Sequence, residues 1–444
     1  MSNTSALKQA NGQHQFGWAI SDKIVSETTP GKIDVWSAFS PLAGHVPKDA
    51  LNLGQGFMSF GPEPWVLEAH NAALQDVMAN HYSLPRGRAN LRQAVSKYLS
   101  ESFKLPNGRQ LDANTEVQIT AGANEGMFAF ATAFLQPGDE VILFEPFFDQ
   151  YIAQVTFNGG TPVFVPIRPP ANASTSNVSA KEWKVDLDEL RKAITPKTKM
   201  IWINTPHNPI GKVFDEEELR GIGKVAEEND LLILSDEVYD CLTFGEEHVR
   251  IAALDDFWKR TVTVGSAGKS FAATGWRVGW AVGPPNLLTP LMAAHTRIVF
   301  CVNSPAQEAV ASGITQALEN GFFDRQREEY ESRLKVMREG LDQLGLPYTI
   351  PDGAYFILIN TERLEIPEDF EVPDMIAQRA ADWKAAWFVA QTAKVVLIPV
   401  TDFYNKAHWS LGEKYIRIAF CKDEDTLRAA SERLLALKPY IRAQ

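Results

Sequence analysis

Cysteine is scarce in this 444-residue sequence: Cys241, Cys301 and Cys421 stand far apart, and their number is odd. No disulfide framework is expected, and no metal-ligand spacing occurs, so no metal site is expected. Free thiols in a reducing compartment, packed as small buried apolar groups, account for all three. Long apolar runs are also missing, and none approaches the about 20 residues needed to span a bilayer. Basic clusters are absent. Lys and Arg number 43 against 55 Asp and Glu, for a net charge of −12. The basic residues are scattered, which argues against nucleic acid and against anionic membranes as partners. The opening stretch MSNTSALKQANGQHQFGWAISDK lacks the apolar core of a secretory signal. A cytoplasmic chain with a flexible segment over residues 1–30 is expected, and a mitochondrial presequence remains the alternative.

With 45% hydrophobic residues, the chain can bury a large core, and its length favours two domains in contact. From about residue 114 to 283, strand patterns alternate with helical ones. The strands are EVQIT (116–120), EVILF (140–144), TPVFVPI (161–167), KMIWIN (199–204), LLILSD (231–236), VTVGS (262–266) and VGWAVG (278–283). Most are continuous apolar runs, as in a parallel sheet covered on both faces by helices. An α/β domain follows, with its chemistry expected on the loops at the strand carboxyl ends. After about residue 305, long charged helices precede the short strands AYFILIN, KVVLIPV and YIRIAF, marking a smaller α+β unit with its boundary near 303–306. The Ser/Asn/Ala-rich stretch ANASTSNVSAKE (171–182) is expected to be an exposed polar loop.

Several polar residues sit where such a sheet concentrates chemistry. SAGKSFAATGWRVGW (266–280) follows a buried strand and offers a hydroxyl, an amine and a guanidinium in Ser266, Lys269 and Arg277, while Gly275 and Gly279 permit close backbone approach. A lysine in an apolar strand-end loop is costly to bury, and a covalent imine to a carbonyl cofactor removes that cost. A hydroxyl and a guanidinium suit a phosphate monoester. NTPHNPIGKVF (204–214) presents Asn208 before a proline that favours extended backbone. Asp236 ends the apolar strand of LLILSDEVYDCL and needs a partner. In ITAGANEGMFAF (119–130) a strand enters a helix through a Gly-Ala-Asn turn, whose backbone N–H groups can hold an anion. FEPFFDQY (144–151) offers Phe148 as a flat apolar face, and Arg417 in KYIRIAFCKDE can clamp a carboxylate. Taken singly, each has a plainer explanation: a surface lysine, an Asn-Pro turn, a helix N-cap at Asp236, a core phenylalanine, an exposed strand arginine.

Together, and in this order, these motifs resemble those of the class I/II pyridoxal-phosphate aminotransferases, and within them the kynurenine/glutamine aminotransferase and cysteine-conjugate β-lyase group. The resemblance runs from about Lys32 to the C-terminus and leaves out the 171–182 loop. It implies an aspartate-aminotransferase-like α/β fold: a large domain with a mostly parallel seven-stranded sheet covered by helices, plus a smaller α+β domain. The implied divisions are an N-terminal arm over 31–65 that joins the small domain, a large domain over 66–305 and a small domain over 306–444. The implied cofactor is pyridoxal 5′-phosphate, bound as a Schiff base to Lys269. Its ring nitrogen would meet Asp236, and its phenolic oxygen Asn208 and Tyr239. Its phosphate would meet Gly122, Ala123, Ser266 and Arg277, with Asn124 beside them where many relatives carry an aromatic. Phe148 would stack on the ring. Arg417 would bind the substrate α-carboxylate near Gly56, and Trp36 would line the pocket. Tyr82 would reach the phosphate of a neighbouring subunit, which implies a homodimer. The implied reaction is transamination of an amino acid with a 2-oxo acid, kynurenine first among donors. Glutamine, methionine and aromatic amino acids, or β-elimination from cysteine conjugates, are the alternatives.

Overall fold

The computed structural model describes residues 21, 34–40, 44–245 and 247–443. The expected flexible segment 1–30 lies outside the described residues apart from Ser21.

All seven expected strands form. They are β1 (Val117–Thr120), β2 (Glu140–Glu145), β3 (Thr161–Arg168), β5 (Thr198–Asn204), β6 (Leu232–Asp236), β7 (Thr261–Ser266) and β8 (Gly279–Val282). Most of their residues are buried, as continuous apolar runs require. Among the described residues the sheet nevertheless has eight strands, one more than expected. β4 (Lys184–Val185) adds antiparallel to Ile167 and Arg168 at one edge, and two residues are too few to leave a strand pattern in the sequence. The spatial order is β1-β8-β7-β6-β5-β2-β3-β4. Helices occupy the crossovers. The one over Glu216–Glu228 begins with a reciprocal cap, in which Asp215 accepts from the Glu218 N–H and the Glu218 side chain accepts from that of Asp215.

One strand direction decides where the chemistry gathers. β5, β6 and β7 are parallel, while β8 runs antiparallel between β7 and β1. Gly279, which opens β8, therefore pairs with both Thr120 and Ser266, the last residues of β1 and β7. The exits of β1, β5, β6 and β7 and the entry to β8 all meet on one edge of the sheet.

The C-terminal part carries a three-stranded antiparallel sheet in which β11 (Tyr415–Ala419) lies between β9 (Phe356–Asn360) and β10 (Ile398–Pro399). Leu51–Asn52 pairs in parallel with Val395–Val396, which ties the N-terminal arm to this unit. Helix Ser304–Asn320 begins at the expected boundary but packs against helices Pro64–Gln75 and Ala89–Leu99, in an apolar cluster shared with Val117, Ile119 and Trp280. We therefore propose the division of the two units near Gly321.

The 171–182 segment is not simply an exposed loop. Val178–Ser179 forms a short parallel pairing with Thr349–Ile350, Ala173, Val178 and Ala180 are buried, and Ser179 Oγ donates to Asp352 at 3.0 Å. The segment links the two units, and its polar composition hid the few apolar residues that do so. Of the three free cysteines, Cys421 is buried as expected, while Cys241 and Cys301 are partly exposed.

Candidate active site

A cavity of about 200 Å³ opens at the edge where the strand ends meet. Lys269 projects into it. β7 ends at Ser266 and passes into a single helical turn, Ala267–Ser270, which turns the lysine inward. Its Nζ donates to the Tyr355 hydroxyl at 3.0 Å and to the Gly56 carbonyl at 3.3 Å. Burial pushes this amine down to about 8, and the cationic Arg417 and Arg277 add to the fall, against the opposing influence of Cys421 and Asp236. The surface-lysine alternative is excluded.

Asp236 ends β6 opposite Asn204 of β5. The Tyr151 hydroxyl donates to its Oδ2 at 2.5 Å, and the Val238 N–H approaches Oδ1 at 3.4 Å. Burial pushes the carboxyl up to about 6 despite these bonds. Among the described residues no helix follows β6 until the short turn at Ile251, so the N-cap alternative fails as well. A carboxylate this deep, with neutral donors only, suits a cationic partner.

Asn204 links the two loops beside it. Its Nδ2 donates to the Asp236 carbonyl at 2.9 Å, and its Oδ1 accepts the Asn208 N–H at 2.7 Å. Asn208 Oδ1 in turn accepts from the Arg417 guanidinium at 2.8 Å. Tyr239 is buried edge-on against Tyr355, ring centres 5.1 Å apart, and burial raises its hydroxyl above the ordinary tyrosine range.

At the opposite end, helix Ala123–Phe134 starts without a side-chain cap, and both Ala123 and Asn124 line the cavity. Gly122 precedes it at φ +79°, and a Cβ there would lie 2.4 Å from the Arg277 guanidinium. That guanidinium donates to the carbonyls of Thr274 at 2.9 Å and Ala121 at 3.4 Å. Gly279 also needs its missing side chain, since a Cβ would stand 2.7 Å from the Ala123 nitrogen, whereas Gly275 faces open space. Close approach thus holds at Gly279 and not at Gly275. Asn124 is engaged by Gln154, whose amide donates to its Oδ1 at 2.6 Å.

Arg417 lies in β11, facing inward. It donates to the Gly54 carbonyl at 2.6 Å and sits over the rings of Phe356 and Phe403, while its buried Nε has no partner among the described residues. Burial lowers it to about 10. Its hydrogen bonds go to the Asn208 amide oxygen and the Gly54 carbonyl, and to no carboxylate among the described residues. A guanidinium so placed is an anchor for an incoming carboxylate. Trp36 stands 5.7 Å from it, held by its indole N–H donating to Asp149 at 2.9 Å. Gly56, Phe148 and Ser266 complete the wall.

Tyr82 is not brought to the cavity. It is 85% exposed and stands edge-on to Phe300 at 5.3 Å. Residues that the sequence did not single out also join the site, among them Tyr151, Asn204 and Tyr355. Tyr151 ends the FEPFFDQY motif and Tyr355 opens the AYFILIN strand, but each reaches its partner across a long stretch of chain.

A buried carboxylate short of a cation, an enclosed amine, and an uncapped helix start facing a guanidinium form a donor set that fits pyridoxal phosphate group by group. The sequence places this fold and site in one class. Residues 48–434 match the family model for aminotransferases of class I and II, and the chain belongs to that family, whose members use pyridoxal phosphate. It is an aminotransferase. Over 417 residues it is 43% identical to a probable kynurenine–oxoglutarate transaminase of Saccharomyces cerevisiae, covering 92% of this chain and 93% of that one. It is 39% identical over 414 residues to a kynurenine–oxoglutarate transaminase of Dictyostelium discoideum, covering 91% and 94%. The crystal structure of Bna3p from Saccharomyces cerevisiae superposes with a TM-score of 0.91 at 42% identity, covering 96% of this chain and all of that one.

Proposed function

We propose that the chain transfers the amino group of kynurenine to a 2-oxo acid, with pyridoxal phosphate held by Lys269. The observation that carries this reading is the Lys269 amine, enclosed in the cavity and depressed to about 8, facing Asp236 and the Gly122–Arg277 cradle. Similarity to the two named transaminases supports kynurenine as donor. When bound, the cofactor supplies an aldehyde for the amino group and a cationic ring that draws electrons from the substrate α-carbon.

The protein's own groups do the rest. Asp236 keeps the ring nitrogen protonated, and Tyr151 fixes that carboxylate. Asn208 and Tyr239 hold the phenolic oxygen. The helix start at Ala123, with Ser266 and Arg277, takes the phosphate. Arg417 binds the substrate α-carboxylate, so the α-carbon proton is presented to Lys269. With its amine near 8, Lys269 removes that proton as a base and returns it as an acid. Trp36 and Phe148 give the pocket apolar walls suited to an aromatic side chain.

A homodimer belongs to the same proposal. Val77, Met78, Tyr82, Leu84 and Phe300 are large, apolar and at least half exposed, as at an interface. The reaction is tested by offering the purified, cofactor-loaded protein a panel of amino donors with several 2-oxo acids. Kynurenine is expected among the best donors, and its failure to react while other aromatic donors do would redirect the assignment.

A further inference from the structure

Two buried groups behind the Ala121–Gly122 turn take part in none of these roles. Glu125, in the first turn of helix 123–134, reaches back so that its Oε2 accepts the Ala121 N–H at 3.0 Å. His295, from helix Pro285–Ile298, is fully buried, with Nδ1 at 3.0 Å from both Glu125 oxygens. Its Nε2 is also buried and has no hydrogen-bond partner among the described residues. Nδ1 donating its N–H to the carboxyl accounts for this contact. Glu125 does not line the cavity. A carboxylate there would repel a phosphate if it faced one, so its place behind the turn suits support and not ligation.

The turn it supports is the one that shapes the anion end of the site. Ala121 is gripped on both sides of its backbone: its N–H by Glu125, its carbonyl by Arg277. Gly122 follows with its own N–H on the Thr120 carbonyl at 2.8 Å and its carbonyl on the Thr120 hydroxyl at 3.0 Å. We infer that Glu125 and His295 are positioning residues, a buried carboxylate–imidazole strut that holds the Ala121–Gly122 turn and Arg277 in the geometry that takes a phosphate monoester. The inference rests on the proposed phosphate-binding role of this end of the cavity.

The test uses cofactor-stripped full-length protein titrated with pyridoxal phosphate and with pyridoxal, which shares the ring and aldehyde but lacks the phosphate, followed by tryptophan fluorescence. Glu125→Ala is expected to weaken binding of the phosphate ester by about 10–100-fold, the range for outer-shell supports of a ligand site, while pyridoxal binding stays within about twofold. Glu125→Gln keeps an oxygen for the Ala121 N–H and is expected to recover most of the loss. His295→Phe keeps a ring and removes the donor, so it should give the same phosphate-specific loss and serves where Glu125→Ala does not fold. Unchanged binding of both compounds in these variants, or an equal loss of both, would overturn the strut. A wild-type protein that binds pyridoxal as tightly as its phosphate would remove the phosphate-site assignment itself, a distinct outcome.

Discussion

Lys269 must be both a nucleophile toward an aldehyde and a base toward a carbon acid, and an ordinary lysine near 10.4 does neither well at neutral pH. Burial solves this by favouring the uncharged amine. Because its value falls to about 8, the amine is mostly protonated below that pH and free above it. The rate at which cofactor-stripped protein forms the imine is therefore expected to rise as pH passes through about 8, measured by visible absorbance, and a pH-independent rate would contradict it. Lys269→Ala is expected to lower turnover by at least about 100-fold, the scale of a lost general base, with an unchanged circular-dichroism spectrum. Asp236 behaves in the opposite sense: pushed up to about 6, it carries its charge above that pH and loses it below. Cofactor affinity should fall as pH drops below about 6, and Tyr151→Phe, which removes a donor to the carboxylate, should move that midpoint upward. Lys269 and Asp236 were legible in the sequence because Asp236 ends an apolar strand and Lys269 follows one by three residues, where a charge needs a reason. Tyr151 and Tyr355 were not, because their hydroxyls meet Asp236 and Lys269 across 85 and 86 residues of chain, and no local pattern encodes such a contact.

At the level of elements, the site follows from strand direction. Only because β8 runs antiparallel do Arg277 and Gly279 arrive at the edge where β1, β6 and β7 end. The Gly122 turn is the tightest point of that convergence. Gly122→Ala would place a methyl against the guanidinium in a left-handed backbone, so it is expected to destabilise the protein by about 1–3 kcal/mol and to weaken cofactor binding, read by urea unfolding with and without pyridoxal phosphate. Wild-type stability and affinity in that variant would contradict the cradle. The seven expected strands were readable, most of them from continuous apolar runs. The eighth strand and the Val178–Ser179 pairing were not, since two-residue strands owe their existence to the neighbour they pair with. Helix 304–320 shows the same limit: its sequence marks a helix but not the unit against which it packs.

For the whole molecule, the long helices, the second sheet and the arm serve to close Arg417, Tyr355 and Gly56 over the strand ends. The exposed apolar residues between Val77 and Leu84, with Phe300, set the expected assembly. Sedimentation is expected to show a dimer, and Val77→Glu with Leu84→Glu should shift it toward monomer; a wild-type monomer at micromolar concentration would contradict the interface. The central claim, however, is a single covalent bond. Borohydride reduction of the cofactor-loaded protein, followed by peptide mass mapping, should place one pyridoxyl-phosphate adduct on Lys269. An adduct on another lysine, or none, would contradict the account.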